Sequence, residues 1–196
     1  MSASMKRRDV VSTLLANRGD LLVVTGLGST TWDAAAAGDH PLTFPLWGAM
    51  GNAVMVGLGL ALAQPQRRVL VITGDGELLM GMGSLATAAV QQPANLSIVC
   101  IDNEHFGETG MQRTHTAHGV DLAAIAKACG IQHARVVREA SELPALVTDT
   151  RTHPGLFFAQ VKVVAEKLVL TLPPRDGGLL KARFRRALLG ELADTQ

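Results

Sequence analysis

The stretch Arg68-Val69-Leu70-Val71-Ile72-Thr73-Gly74-Asp75-Gly76-Glu77 decides how this chain is read. From Val69 to Thr73 every residue is apolar or β-branched, without alternation, as in a strand buried on both faces. Two glycines then flank an acid where the strand ends, so the backbone can turn tightly and approach a ligand. Working outward, residues 21–25 and 96–101 are runs of the same kind, and 133–137 and 156–163 follow later. Helical patterns fill the intervals at 6–17, 52–63, 84–91, 121–129 and 141–150, with a short helix opening at Trp32. Strands alternating with helices predict an α/β three-layer sandwich, a central parallel sheet with helices on both faces. Ligands of such sheets sit at the carboxyl ends of the strands, which directs attention to the loops after Thr25, Thr73 and Ile101.

Composition narrows the function classes. A length of 196 residues suits one domain with a sizeable core. A hydrophobic share of 47% argues against disorder. Net charge is +1, with Lys and Arg dispersed until the C-terminal stretch, so no nucleic-acid footprint is present. Cys100 and Cys129 lie in apolar surroundings and read as reduced core residues of a cytoplasmic protein. Residues 1–9 are charged and no apolar signal core follows them. The longest apolar run, 53–63, is too short to span a bilayer and reads as a buried helix. Leu172-Pro173-Pro174-Arg175 breaks the pattern and leads into a basic helix at 179–192. Residues 1–196 therefore read as a single domain with a helical extension over 171–196.

Taken alone, Gly74-Asp75-Gly76 is an Asp-Gly turn. A second site changes that reading. One helix and one strand later comes Asp102-Asn103-Glu104-His105-Phe106-Gly107. Asn103 then stands at the carboxyl end of the neighbouring βα unit, where it can converge with Asp75. A carboxylate, an amide oxygen and a backbone carbonyl would leave Mg²⁺ positions for a diphosphate and water.

Gly-Asp-Gly followed by one helix, one strand and Asn resembles the signature of thiamine-diphosphate-dependent enzymes. The resemblance implies thiamine diphosphate and Mg²⁺ as cofactors. It implies Asp75 and Asn103 as metal ligands, with the carbonyl of His105 as the third. Gly74, Gly76, Glu77, Phe106 and Gly107 would border the cofactor. Two departures stand out. Asp102 replaces the first of two asparagines that the family often has, and Glu77 stands where Ser or Ala is more usual. A carboxylate beside a diphosphate is costly, so Glu77 is expected to lend its backbone N–H and turn its side chain to solvent or a partner.

The same resemblance reaches three further segments. In Trp47-Gly48-Ala49-Met50 it places Met50 under the bent cofactor, holding its two rings together, and gives the Gly48 carbonyl to the cofactor's amino group; from the residues alone, Met50 also reads as a core filler. In Thr25-Gly26-Leu27-Gly28-Ser29 it places Gly28 and Ser29 at the diphosphate. A dinucleotide fingerprint fails there, because Thr31 stands where the third glycine belongs. In residues 107–118, Thr109-Gly110-Met111-Gln112 and Thr114-His115 look like the loop of sulfopyruvate and phosphonopyruvate decarboxylases. Arg113 and His115 are the candidates for catalytic contact with an anionic substrate, against a reading as an ordinary solvated loop.

The resemblance implies decarboxylation of a small anionic 2-oxoacid by a chain that carries the diphosphate half of the site. The glutamate that activates the aminopyrimidine ring lies in such enzymes on a pyrimidine-binding domain. The residues ahead of the first strand are too few to form one, so a partner subunit is expected, in an oligomer without nucleic-acid or membrane partners. Two alternatives remain: a non-catalytic cofactor-binding or assembly subunit, and a subunit of another such enzyme, for example a 2-oxoacid:ferredoxin oxidoreductase. Two isolated cysteines argue against the latter, since an iron–sulfur cluster needs a set of thiolates.

Overall fold

Continuous apolar runs become strands here because each strand feeds two cores. The computed structural model describes residues 5–194; residues 1–4 and 195–196 of the single-domain reading lie outside the described residues. The first half runs α1 (Arg7–Leu15), β1 (Leu22–Thr25), α2 (Ser29–Ala36), β2 (Thr43–Pro45), α3 (Ala53–Ala63), β3 (Val69–Gly74), α4 (Asp75–Met80), α5 (Gly83–Gln91) and β4 (Leu96–Asp102). The second half runs β5 (His105–Phe106), β6 (Gln112–Arg113), α6 (Leu122–Ala128), β7 (His133–Val137), α7 (Leu143–Thr152), β8 (Phe157–Lys162) and α8 (Gly177–Leu189). Six strands form one sheet in the order β2-β1-β3-β4-β8-β7, and every pairing in it is parallel.

Successive side chains of a strand point to opposite faces. Val69, Val71, Ile98 and Phe158 accordingly pack with Val54, Leu58, Leu85 and Leu122 of α3, α5 and α6. Leu70, Ile72, Val99 and Ala159 pack on the other face with Val11, Leu14 and Leu146 of α1 and α7. Helices on both faces make the predicted three-layer sandwich. Among the described residues no helix is long and apolar enough to cross a membrane.

Strand order also locates the site. From β1 the chain moves to β2 at one edge, then returns to place β3 on the other side of β1. The direction reverses between β1 and β3, and the crevice beyond their carboxyl ends is where such sheets take ligands.

Three elements depart from the sequence reading. β2, an edge strand of three residues ending in Pro45, is too short to give a periodic signal. α4 begins at Asp75 itself rather than after a turn; Gly74 is its extended N-cap, and Asp75 and Glu77 fall in its first turn, where the helix dipole favours acids. The loop after β4 contains the β5–β6 hairpin and two single 3₁₀ turns. The C-terminal helix starts at Gly177 and ends at Leu189, with Asp176 accepting from the Leu179 N–H as its cap. Phe184 of this helix meets Phe44 of β2 edge to face, with ring centroids 5.4 Å apart. The preceding segment is fixed by Trp47 Nε1, which donates to the Pro174 carbonyl at 3.0 Å.

Phe158 has no solvent exposure and sits mid-sheet between β4 and β7. Phe158→Ala is expected to destabilise the chain by about 3–5 kcal/mol through lost burial and the cavity left behind. A lowered urea midpoint with unchanged slope checks this; an unchanged midpoint contradicts the two-core packing.

Candidate functional site

The loops after β1, β3 and β4 meet over the switch point. Gly74 pairs with Ile101, so the next residues along, Asp75 and Asp102, stand side by side, with Asn103 one step further. The space above them is a cavity of about 210 Å³. Of the residues expected at a site, Ser29, Met50, Gly74, Asp75, Gly76, Glu77, Asn103, His105, Phe106 and Gly107 line it. Gly28 lies on the same loop but is buried, with Glu108 laid across it. Gly48 is exposed and outside the cavity lining, as are Arg113 and His115. Arg113 is nevertheless paired with His105 in the β5–β6 hairpin.

Asp75 is 2% exposed. Its Oδ2 accepts from Thr114 Oγ1 at 2.5 Å and lies 3.2 Å from Thr116 Oγ1, which is itself 2.8 Å from Asp102 Oδ1. Burial, and then repulsion from Asp102, push the Asp75 carboxyl up to about 6, against the pull of the two threonine hydroxyls. Asp102 is fully buried and surrounded by donors. Lys162 Nζ lies 2.9 Å from Oδ2, Gln160 Nε2 donates to the same oxygen at 2.6 Å, and the Glu104 N–H donates to Oδ1 at 3.0 Å. Lys162 pairs with Glu104 as well. The β4–β8 register sets Lys162 opposite Asp102. The acid in place of the family's asparagine thus comes with its own cation.

Asn103 makes a tight polar turn. Its Oδ1 accepts from the His105 N–H at 2.9 Å, and the His105 ring Nδ1 lies 2.8 Å from the Asn103 carbonyl. Glu104, between them, has φ +62. Asp75, Asn103 and the backbone around His105 therefore present hard oxygen donors at one end of the cavity, the type that Mg²⁺ takes.

The expectation for Glu77 is corrected. Its side chain is not turned to solvent or a partner but is 4% exposed. Oε2 accepts from Thr73 Oγ1 at 2.6 Å, and a Cβ at Gly26 would lie 1.6 Å from that oxygen. Burial raises the carboxyl pKa, while Thr73 and the N–H groups of Gly74, Gly51 and Leu27 act in the opposite sense. Those N–H groups favour the charge without completing a bond to Oε1, which has no hydrogen-bond partner. The reason is the early start of α4. Two helical residues turn through about 200°, so with Asp75 facing β4, Glu77 faces the β1 loop.

Other contributors had no legible signal. Arg7 of α1 lines the cavity, almost fully buried, with Nη1 donating to Asp33 Oδ2 at 2.5 Å and to the Ser29 carbonyl at 3.2 Å. Thr114, Thr116 and Lys162 come from loops and strand ends remote in sequence from Asp75. Only Lys162, a charge ending a mostly apolar strand, hints at a buried partner.

With that geometry in view, comparison with known proteins decides the family. Residues 26–161 match the family model described as "Thiamine pyrophosphate enzyme, C-terminal TPP binding domain". The chain belongs to the thiamine pyrophosphate enzymes. Thiamine pyrophosphate is thiamine diphosphate under its other name. The chain is 35% identical over 190 residues to "Sulfopyruvate decarboxylase subunit beta" of Methanothermobacter thermautotrophicus, covering 97% of this chain and 99% of that protein. It is 44% identical over 126 residues to "Phosphonopyruvate decarboxylase" of Streptomyces hygroscopicus, covering 64% of this chain but only 30% of that protein. Benzoylformate decarboxylase from Polynucleobacter necessarius shares the fold, with TM-score 0.75 at 19% identity over 86% of this chain and 35% of the other. The thiamine pyrophosphate-binding domain of this family thus coincides with the sheet and loops that build the cavity.

Asp75 makes a pH prediction. Its carboxyl is raised from 3.8 to about 6 on folding. Its contribution to stability is therefore full below about 3.8 and is lost as pH rises through about 6. Metal-free Asp75→Asn is expected to be more stable than the native chain at pH 7.5, by on the order of 2 kcal/mol, and no more stable at pH 4. Urea unfolding in chelator checks this; equal midpoints at pH 7.5 would rule out a strained Asp75 charge.

Proposed function

We propose that this chain is the diphosphate- and Mg²⁺-binding subunit of a thiamine-diphosphate-dependent 2-oxoacid decarboxylase completed by a second polypeptide. Its substrate is a small anionic 2-oxoacid of the sulfopyruvate or phosphonopyruvate kind. The observation that carries the reading is the placement of Asp75 and Asn103 in one cavity at the topological switch point. The match over 99% of a sulfopyruvate decarboxylase β subunit supports the division into subunits.

The residues present fit the cofactor. Asp75, Asn103 and the His105 carbonyl would hold Mg²⁺, and a divalent cation would relieve the repulsion between Asp75 and Asp102. Ser29, Gly74, Gly76, Phe106 and Gly107 would border the diphosphate, on three loops where Gly74 and Gly107 leave room for close backbone approach. Met50 would support the cofactor's rings, with the Gly48 carbonyl two residues away. When bound, the cofactor supplies the carbanion that adds to a 2-oxo carbon and holds the electrons left by departing CO₂.

This chain's own side chains prepare that chemistry. Thr114 and Thr116 fix the Asp75 carboxylate, Lys162 neutralises Asp102, and Leu27, Met50, Met80 and Ile101 give the cavity apolar walls. Arg113, opposite His105 on the β5–β6 hairpin, and His115, on the 3₁₀ turn that follows, would contact an anionic substrate tail from outside the cavity lining.

The partner is argued from an apolar surface. α3 buries Val54, Gly57, Leu58 and Ala61 but exposes Met55, Val56 and Leu62. Met50 (39%), Met80 (60%) and Met82 (38%) continue the apolar surface beside the cavity. A helix apolar all round belongs inside an assembly, and a patch of this kind marks an interface. Of the two glutamates that line the cavity, Glu77 is buried against Thr73 and Gly26 and Glu108 lies across Gly28, both glycines being on the β1 loop, so the activating glutamate is assigned to the partner subunit.

The test is reconstitution. The complex with a pyrimidine-domain partner, given thiamine diphosphate and Mg²⁺, should release CO₂ from sulfopyruvate or phosphonopyruvate, whereas this chain alone should not. Asp75→Ala and Asn103→Ala should each lower that activity by at least about a hundredfold with unchanged circular dichroism. Turnover by the isolated chain at the rate of the complex would overturn the split site. Failure of the complex to bind the cofactor would overturn the reading altogether.

A further inference from the structure

Two carboxylates press on the glycine loop between β1 and α2. Glu77 reaches Gly26 and is locked there by Thr73. Glu108 reaches Gly28 on quite different terms. A Cβ at Gly28 would lie 3.0 Å from Glu108 Oε1, 3.1 Å from its Cγ and 3.3 Å from its Cδ, so the side chain lies flat across that glycine. Gly28 has φ 79 and ψ −129, a conformation open to glycine alone, and is the N-cap of α2. The first turn of a helix has N–H groups without intrahelical partners, and these attract an anion.

The side chain that fills this place is weakly held. Glu108 forms no ion pair among the described residues; its one side-chain donor is Trp32 Nε1, at 3.0 Å. It is exposed, in contrast to Glu77. It rides on the single turn Gly107–Thr109, which has Gly110 (φ 120) on its far side. A Cβ at Gly107 would meet nothing closer than 3.7 Å. Thr109 and Gln112 bond each other at 2.9 and 2.8 Å, closing the turn on itself. The turn can therefore swing as a unit, and among the described residues Trp32 is the only side-chain tether that moving Glu108 breaks.

We propose that Glu108 is an internal stand-in for the cofactor's diphosphate. In the cofactor-free chain its carboxylate occupies the anion seat at Gly28 and Ser29, tethered by Trp32, and a diphosphate enters by displacing it. This rests on the reading of Gly28 and Ser29 as diphosphate contacts. The physical argument is exclusion: the carboxylate covers Gly28, and a diphosphate seated on Gly28 and Ser29 cannot share that place with it. Glu108 thereby sets cofactor affinity. If the occupied form makes up about nine-tenths of the free chain, apparent affinity is weakened roughly tenfold.

The chain has two tryptophans, Trp32 and Trp47, and no tyrosine, so its emission reports on this contact directly. The two indoles meet edge-on with centroids 5.3 Å apart, and Trp47→Phe isolates Trp32. In that background, Mg²⁺ with inorganic pyrophosphate should shift the Trp32 emission of the full chain. Glu108→Ala should show the shifted emission without ligand. By calorimetry, Glu108→Ala with both tryptophans retained should bind Mg²⁺–pyrophosphate about tenfold more tightly than the native chain. Glu108→Gln, which keeps an acceptor for Trp32 but not the charge, should fall between. Native-like or weaker pyrophosphate binding by Glu108→Ala overturns the proposal and leaves the cofactor reading standing. So does pyrophosphate that binds the native chain without altering Trp32 emission. If neither chain binds pyrophosphate or thiamine diphosphate, the assignment of the diphosphate seat falls and the proposal with it.

Discussion

Asp75 and Asp102 are held side by side, almost without solvent, by the register of β3 on β4. Like charges in a low-dielectric setting repel strongly, and much of the upper half of the molecule is arranged around that pair. Lys162 is aligned with Asp102 by the next strand pairing. Gln160 donates to Asp102 and, through its carbonyl, accepts from the N–H groups of Leu122 and Ala123 at the start of α6. The β5–β6 hairpin returns the chain so that Thr114 and Thr116 hang over Asp75. Moving any of these would leave a buried charge without a partner, a more costly defect than the loss of an ordinary contact.

The resolution of this charge problem is unequal, and the inequality has functional content. Asp102 is satisfied by protein groups on both oxygens. Asp75 is not: two hydroxyls hold its position but supply no positive charge, and its proton affinity stays high. A carboxylate in that state has the most to gain from a cation. Stability withheld at Asp75 is thus affinity available to Mg²⁺, the usual relation between strained groups and function.

The glycine loop after β1 obeys a related constraint. Gly26 has no side chain because the Glu77 carboxylate fills that space, and Gly28 has none because its φ of 79 disfavours one, with Glu108 laid over it. In both cases a glycine of the loop is in contact with a carboxylate. Glu77 joins β3, α4 and the β1 loop into a single rigid floor, which suits a residue buried at the base of the cavity. Glu108 stands on the exposed side, where an incoming ligand can reach it.

The sequence by itself determined the layers and the position of the site. Largely apolar runs of four to seven residues, separated by helical patterns, admit little besides a buried parallel sheet, because local periodicity is enough to assign such elements. The Gly-Asp-Gly and Asn spacing placed Asp75 and Asn103 at neighbouring strand ends for the same reason: one helix and one strand have a fixed geometry. The tertiary structure decided what depends on contacts between distant segments. The direction of the Glu77 side chain followed from where α4 begins, which two glycines around an acid leave open. Arg7, Thr114, Thr116 and Lys162 entered the site through packing and register, with no periodic pattern to announce them. The charge state of Asp75 depended on Asp102 and on burial, since a pKa is set by the dielectric and the neighbouring charges that only the folded chain brings together.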